Sequence, residues 1–349
     1  MMGLGSYLCS TPLVRRDKIL DSMPELILLT GGAGFIGSHT AEALLRQGYR
    51  LLLVDSFDDF YDPSRKRANL REVSRAGSFD LEELDLAEYE PLRELIRRAR
   101  PTAIIHLAAR AGVRPSIQHP RLFERANVQA TLNLLECVRE FQIKRFIFGS
   151  SSSVYGATSR VPFSEDQIEC RPISPYAASK LAGELYCYTY AHLFRFPCIC
   201  LRFFTVYGPR QRPDLAIHKF IALLESGKPL PMFGDGTTGR DYTFVEDIVS
   251  GVLSALKWGG LSNYPVPFDV FNLGNSHPVK LKELIAAIET VTGRKAVIEQ
   301  LPDQPGDVPL TWADVSKARK LLGYEPRTCL EDGLNRFLRW YREQERYSE

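Results

Sequence analysis

The sequence predicts an α/β protein, a doubly wound parallel sheet with a smaller α/β unit joined to it. Three observations carry the prediction. Apolar, strand-like runs alternate with helical patterns from residue 26 to about 203. The first run enters a glycine-rich turn that opens a helix. From about residue 204 the alternation breaks, and Pro and Gly become frequent (Gly208-Pro209, Arg212-Pro213, Gly227-Lys228-Pro229, Gly234-Asp235-Gly236). Strand–helix alternation with short loops builds a parallel sheet covered by helices on both faces.

Residues 1–23 are mixed and lack an apolar signal core, so they read as a loose extension before the fold, with Met23 at its start. Strands are expected at 26–30, 50–55, 79–85, 103–107, 145–150 and 197–202. Helical patterns fall between them, as at 90–98 and 122–141, and a further helix is expected at 176–195. Residues 24–203 thus form the sheet domain, and 204–349 mainly the smaller one, with a segment near 243–258 returning to the first. A chain of 349 residues is long enough for this division and for a sizeable core.

The glycine-rich turn is specific. Ile27-Leu28-Leu29-Thr30 runs into Gly31-Gly32-Ala33-Gly34-Phe35-Ile36-Gly37, and helix formers follow. Gly31 permits a tight turn, Gly34 a close backbone approach to a pyrophosphate, and Gly37 close packing of helix on strand. The helix start then offers free N–H groups to phosphates. A ligand-free loop would use glycines too, but the next strand, Arg50-Leu51-Leu52-Leu53-Val54-Asp55, ends in an acid suited to a ribose diol. A carboxylate there repels a 2′-phosphate, which favours NAD over NADP. The turn is therefore a Rossmann-type dinucleotide site, with Phe35 and Ile36 beside the cofactor. Asp85 and Leu86 end the third strand, where Asp85 suits an adenine contact or caps the next helix. Leu107, Ala108 and Ala109 close the fourth strand with residues small enough for backbone to approach the cofactor.

Tyr176 and Lys180 lie four residues apart and share a helix face. Bringing a Tyr from about 10 to about 7 takes roughly 4 kcal/mol of differential interaction. A Lys ammonium, or a positively charged nicotinamide ring, supplies energy of that order in a dry site. Most such pairs are solvated helix faces; the nucleotide-binding start changes the odds here.

Composition adds limits. Net charge is +2, which points away from nucleic acid and membrane surfaces. No run is long enough to cross a bilayer. Seven cysteines without zinc spacing, two of them in the apolar run Cys198-Ile199-Cys200, read as core thiols in a reducing cytosol. The six histidines show no ligand spacing, and no metal is expected.

The chain resembles the extended short-chain dehydrogenases/reductases of the nucleotide-sugar epimerase and dehydratase type. The matching residues run from about 26 to 342. They include Thr-Gly-Gly-Ala-Gly-Phe-Ile-Gly at 30–37, His-Leu-Ala-Ala at 106–109, Ser-Ser-Ser-Ser-Val-Tyr-Gly at 150–156, and Tyr-Ala-Ala-Ser-Lys at 176–180. Arg-Phe-Phe-Thr-Val-Tyr-Gly-Pro at 202–209 and Arg-Asp-Tyr-Thr-Phe-Val-Glu-Asp-Ile at 240–248 complete the set. Ala-Gly-Val-Arg (111–114), the 202–209 run and Gln-Pro-Gly-Asp-Val-Pro-Leu-Thr-Trp-Ala-Asp (304–314) are similar to the UDP-glucuronate 4-epimerase group.

The resemblance implies bound NAD, a UDP-sugar substrate, and C4 oxidation to a 4-keto sugar that turns over and is reduced on its other face. It implies Tyr176 as proton acceptor, Lys180 as its cation and ribose contact, and Ser151 as partner to the same hydroxyl. The similar 4,6-dehydratases carry Asp-Glu at the positions of Ser152 and Ser153, and the decarboxylases carry Glu at that of Ser153. Neutral serines lack that acid and base and suit a substrate carboxylate. Thr205 stands where UDP-glucose 4-epimerases usually have Asn, which favours UDP-glucuronate. A UDP-glucose or UDP-N-acetylhexosamine(uronate) 4-epimerase is the alternative, and a non-catalytic dinucleotide-binding protein a distant one. Arg240, Arg212 and Arg114 are candidates for the diphosphate or carboxylate, Asp307 for the uridine ribose, and Asn127 for bracing the cofactor site. A cytoplasmic homodimer paired through the helices near 120–141 and 176–195 is expected.

Overall fold

The computed structural model describes residues 24–158, 160–167, 170–302 and 308–346. The strands in chain order are β1 (Leu26–Thr30), β2 (Arg50–Asp55), β3 (Asp80–Glu83), β4 (Ala103–His106), β5 (Arg145–Ser151), β6 (Cys198–Phe203), β7 (Thr205–Tyr207), β8 (Leu230–Phe233), β9 (Gly239–Phe244), β10 (Phe268–Leu273), β11 (Pro278–Lys280) and β12 (Ile298–Leu301). Seven of them form one sheet in the order β10-β6-β5-β4-β1-β2-β3, and every pairing in it is parallel.

The alternation of side chains along these strands supplies two cores. Ile27, Leu29, Leu51, Leu53, Ile105, Ile147, Ile199 and Leu201 face one layer of helices. Leu28, Leu52, Val54, Ile104, Phe146, Phe148, Cys198 and Cys200 face the other. Strands buried on both faces read as continuous apolar runs, which is why they were visible in the sequence. The helix Phe35–Arg46 follows β1, and helix Val245–Lys257 packs beside it. Strand β10 also returns and takes the sheet edge beside β6, although the sequence reading left residues 268–273 in the smaller part. Its run Phe-Asp-Val-Phe-Asn-Leu is interrupted by Asp269 and Asn272 and so looks unlike the continuous apolar runs of its neighbours.

The remaining strands form a three-stranded sheet, β11-β9-β7, and a two-stranded one, β12-β8. The helical stretch expected at 122–141 is interrupted: residues Glu124–Gln129 form a π-helical turn between helices Pro120–Phe123 and Ala130–Phe141. The longest helix, Pro175–Phe194, starts on Pro175 and is capped by the Ser174 side chain, which accepts from the Ala177 N–H at 3.2 Å. No helix among the described residues is long and apolar enough to cross a membrane.

Candidate active site

A cleft of about 1530 Å³ opens where the carboxyl ends of β1, β2, β4 and β5 meet the smaller unit. The chain leaves β1 toward β2 on one side and β4 lies on the other, so a crevice forms at the reversal of strand order.

The glycine turn forms its floor. Gly31 has φ +68°, and a Cβ there would stand 2.8 Å from the Ala108 backbone nitrogen. A Cβ on Gly37 would lie 2.0 Å from the Gly31 carbonyl oxygen. Gly34 is the N-cap of helix Phe35–Arg46, and no side chain caps its first N–H groups. A Cβ there would meet only the Gly31 oxygen, at 3.2 Å. An uncapped helix start facing open space fits the pyrophosphate of a dinucleotide.

Asp55, at the end of β2, lines the cleft beside it. Its Oδ1 accepts from the Phe57 N–H at 3.0 Å and from Lys66 Nζ at 2.9 Å, and its Oδ2 from the Ala33 N–H at 3.3 Å. Lys66 was not singled out from the sequence, because an acid and a base eleven residues apart carry no spacing signal. Asp85, Leu86, Leu107, Ala108 and Ala109 also line the cleft, as do Phe35 and Ile36. Asp85 accepts from the Ala87 N–H at 2.9 Å and pairs with Arg125, while the helix that follows takes Glu88 as its N-cap. Asn127 stands behind the wall: its amide donates to the Arg110 carbonyl at 3.0 Å and Ser179 Oγ at 2.8 Å, and its Oδ1 accepts from the Arg110 N–H at 2.8 Å. The π-helical turn places it there.

Ser151, Tyr176 and Lys180 converge on the same cleft. Ser151 ends β5, and its Oγ accepts from the Ser153 N–H at 3.2 Å. Burial raises the Tyr176 phenol above its ordinary pKa, while a hydrogen bond with Ser151 and the charge of Arg212 pull it down. The Tyr176 ring meets Phe123 edge-on at 6.2 Å. Burial lowers the Lys180 ammonium to about 8. Its Nζ donates to the Gly149 carbonyl at 2.7 Å and sits 5.0 Å from the Phe148 ring centre. Of these influences on Tyr176 burial is the largest, and the net shift is upward.

The opposite wall draws on both parts of the chain. Ser152, Ser153, Thr205, Arg212, Arg240 and Arg114 all line the cleft. Arg212 pairs with Asp214 through Nε at 2.9 Å and a terminal nitrogen at 2.6 Å, and donates to the Ala111 carbonyl at 3.0 Å. Arg240 donates to its neighbour's carbonyl, that of Gly239, at 2.8 Å. Arg114 lies 4.8 Å over the Phe233 ring. Asp307 falls outside the described residues. Phe60, which the sequence reading passed over, stands between Arg212 at 4.8 Å and Arg110 at 5.5 Å.

The family described as GDP-mannose 4,6 dehydratase matches residues 28–337. A UDP-glucuronate 4-epimerase of Thermodesulfobacterium geofontis is 41% identical over 317 residues, covering 90% of this chain and 96% of that protein. UDP-glucuronate 4-epimerase 4 of Arabidopsis thaliana is 41% identical over 329 residues, covering 90% of this chain and 75% of its own length. Among solved structures, the UDP-glucuronic acid 4-epimerase of Bacillus cereus, in complex with UDP-glucuronic acid and NAD, superposes with a TM-score of 0.85 at 36% identity, covering 91% of this chain and 99% of that one. A dinucleotide floor, a Ser–Tyr–Lys group and a match over most of the length agree, and the chain belongs to the GDP-mannose 4,6 dehydratase family of extended short-chain dehydrogenases/reductases.

Proposed function

We propose that this chain interconverts UDP-glucuronate and UDP-galacturonate by inverting C4, with NAD retained in the cleft. The observation that carries the reading is the meeting of Ser151, Tyr176 and Lys180 with the neutral hydroxyls of Ser152, Ser153 and Thr205 in one cleft. The 4,6-dehydration of the family's name needs an acid and a base at 152 and 153, and serines supply neither.

NAD, when bound, accepts hydride from C4 and returns it, and its positive ring favours the Tyr176 phenolate. The chain does the rest. Tyr176 takes the proton of the C4 hydroxyl and gives it back. Ser151 hydrogen-bonds the same oxygen and holds it toward Tyr176. Lys180 stabilises the phenolate from the Gly149 side. Asp55 accepts from the ribose hydroxyls, and the start of helix Phe35–Arg46 holds the pyrophosphate. Arg240 and Arg114 take the sugar diphosphate, and Asp307 the uridine ribose. Ser152, Ser153 and Thr205 donate to the substrate carboxylate and hold its bond to C5 out of line with the C4 ketone, which suppresses loss of CO₂.

Leu185 and Leu193 are about 60% exposed on helix Pro175–Phe194, with Tyr186, Tyr188 and Phe194 beside them. That unpartnered face supports a homodimer. The free cysteines among the described residues suit a reducing cytosol.

The test is a product assay with purified protein and no added NAD, on UDP-glucuronate and UDP-glucose in parallel. UDP-galacturonate as the main product is the expected result. UDP-galactose alone would move the specificity to neutral sugars, and UDP-pentose would overturn the argument from Ser152 and Ser153.

A further inference from the structure

The helix that carries Tyr176 and Lys180 carries a third charged group at the same spacing. Positions 176, 180 and 184 recur every four residues and share one face. Glu184 is 4% exposed, and burial of a lone carboxylate at that depth is costly. Its partners explain its place. The Ser150 hydroxyl donates to Oε1 at 2.5 Å. Arg202 donates to the same carboxylate twice, from Nε at 2.9 Å and from a terminal nitrogen at 2.7 Å.

These partners belong to the strands that deliver the site. Ser150 immediately precedes Ser151 on β5, and Arg202 on β6 is three residues before Thr205. The Arg202 guanidinium also lies 4.7 Å over the Tyr155 ring, whose hydroxyl donates to Asn272 on β10 at 2.7 Å. One carboxylate thus ties the helix of the proton acceptor to β5, which ends in Ser151, and to β6, which leads into Thr205. It also leaves an anion one helical turn from Lys180.

We infer that Glu184, gripped by Arg202 and Ser150, is a positioning residue for the C4 chemistry, fixing Ser151 against Tyr176 and keeping a counter-charge beside Lys180. The inference rests on the proposed epimerase reading. The groups facing Lys180 are Tyr176, Glu184 and Cys187 on its own helix, the Gly149 carbonyl and Phe148 ring on β5, His106 on β4, and Cys200 on β6. His106 is held neutral by burial, and burial pushes the Cys187 and Cys200 thiols well above their ordinary range. Glu184 is the anion of that set, and its field supports the Lys180 charge.

The experiment compares Glu184→Gln, Glu184→Asp and Ser150→Ala in the NAD-loaded protein. Loss of a charge-assisted contact at this depth corresponds to about tenfold to a hundredfold. Glu184→Gln is expected to lower kcat by that amount with KM within about twofold. Its basic limb should move to lower pH, because Lys180 loses its proton earlier. Glu184→Asp keeps the charge and loses reach, so kcat falls while the limb stays. Ser150→Ala leaves the ion pair and should cost a few-fold in kcat. Tyr176 ionisation, read as near-ultraviolet phenolate absorbance against Tyr176→Phe in each background, should shift in Glu184→Gln. That titration needs no turnover, so it separates failure of this inference from failure of the epimerase reading. An unmoved phenolate titration in folded Glu184→Gln overturns the inference. If that variant does not fold, Ser150→Ala with unchanged kcat and unchanged phenolate titration overturns it.

Discussion

The two walls of the cleft are built from different materials. The nucleotide wall is backbone: a helix start without a side-chain cap, and glycines against which a Cβ would collide. The sugar wall is side chains, Thr205, Arg212, Arg240 and Arg114, brought from separate segments and held by partners such as Asp214. A backbone floor tolerates no added atom where it is tightest, at Gly31 and Gly37. A side-chain wall can be retuned one residue at a time.

The contrast can be broken first at the residue that serves both walls. Tyr176→Phe should lower kcat by about 10² to 10⁴, with NAD still retained, as steady-state rates and cofactor release on denaturation would show. Equal loss of NAD would mean that Tyr176 belongs to the floor rather than the chemistry.

On the floor itself, Gly37→Ala puts a methyl 2.0 Å from a carbonyl oxygen and should cost about 3 kcal/mol or more in denaturant unfolding. Gly34→Ala meets its nearest atom at 3.2 Å and should cost about 1 kcal/mol, with weaker NAD retention as the larger effect. Equal stability losses at the two positions would remove the distinction between packing glycine and cofactor glycine.

Behind the floor, His106 bridges Thr30 Oγ1 at 2.7 Å and Thr131 Oγ1 at 3.1 Å, and burial lowers it to about 3. The unfolded chain takes up that proton near 6.5, so the folded state is favoured above that pH and loses ground as pH falls toward 3. The slope is about 1.4 kcal/mol per pH unit for this one group. His106→Gln should remove it from a plot of unfolding free energy against pH, and an unchanged slope would place the titration elsewhere, His39 at about 4 being the next candidate.

The sugar wall offers the smallest effect. Thr205→Ala should keep most of the epimerisation rate and leak a minor UDP-pentose product, detected by chromatography. A variant that leaks none would take Thr205 out of the group that holds the carboxylate.

The same contrast explains what the sequence disclosed. Gly31, Gly34 and Gly37 were legible because backbone geometry allows few substitutes at fixed spacing. Strands β1, β2, β4, β5 and β6 were legible because burial on both faces leaves mostly apolar runs, whereas the edge strand β3, Asp-Leu-Glu-Glu, is largely exposed and was placed by the alternation of elements. Tyr176 and Lys180 were legible from helical periodicity, and Glu184 stood at the next step of that period without being picked out. Lys66, Phe60 and Arg110 were not legible. Their roles come from contacts between segments that no local spacing reports. The π-helical turn at Glu124–Gln129 was hidden for a similar reason, since its residues are ordinary helix formers placed by what Asn127 bonds.

Strand β10 has a consequence for how the chain is made. It fills the last position of the parallel sheet, yet it is synthesised after the whole segment 204–267, while its neighbour β6 already exists. Until β10 emerges from the ribosome, β6 is an open edge carrying Cys198, Ile199, Cys200 and Leu201. The nascent sheet must therefore wait for residues 204–273 before its edge closes. A fragment ending near 203 would keep that edge open, as a row of unpaired N–H and C=O groups ready to pair with another chain.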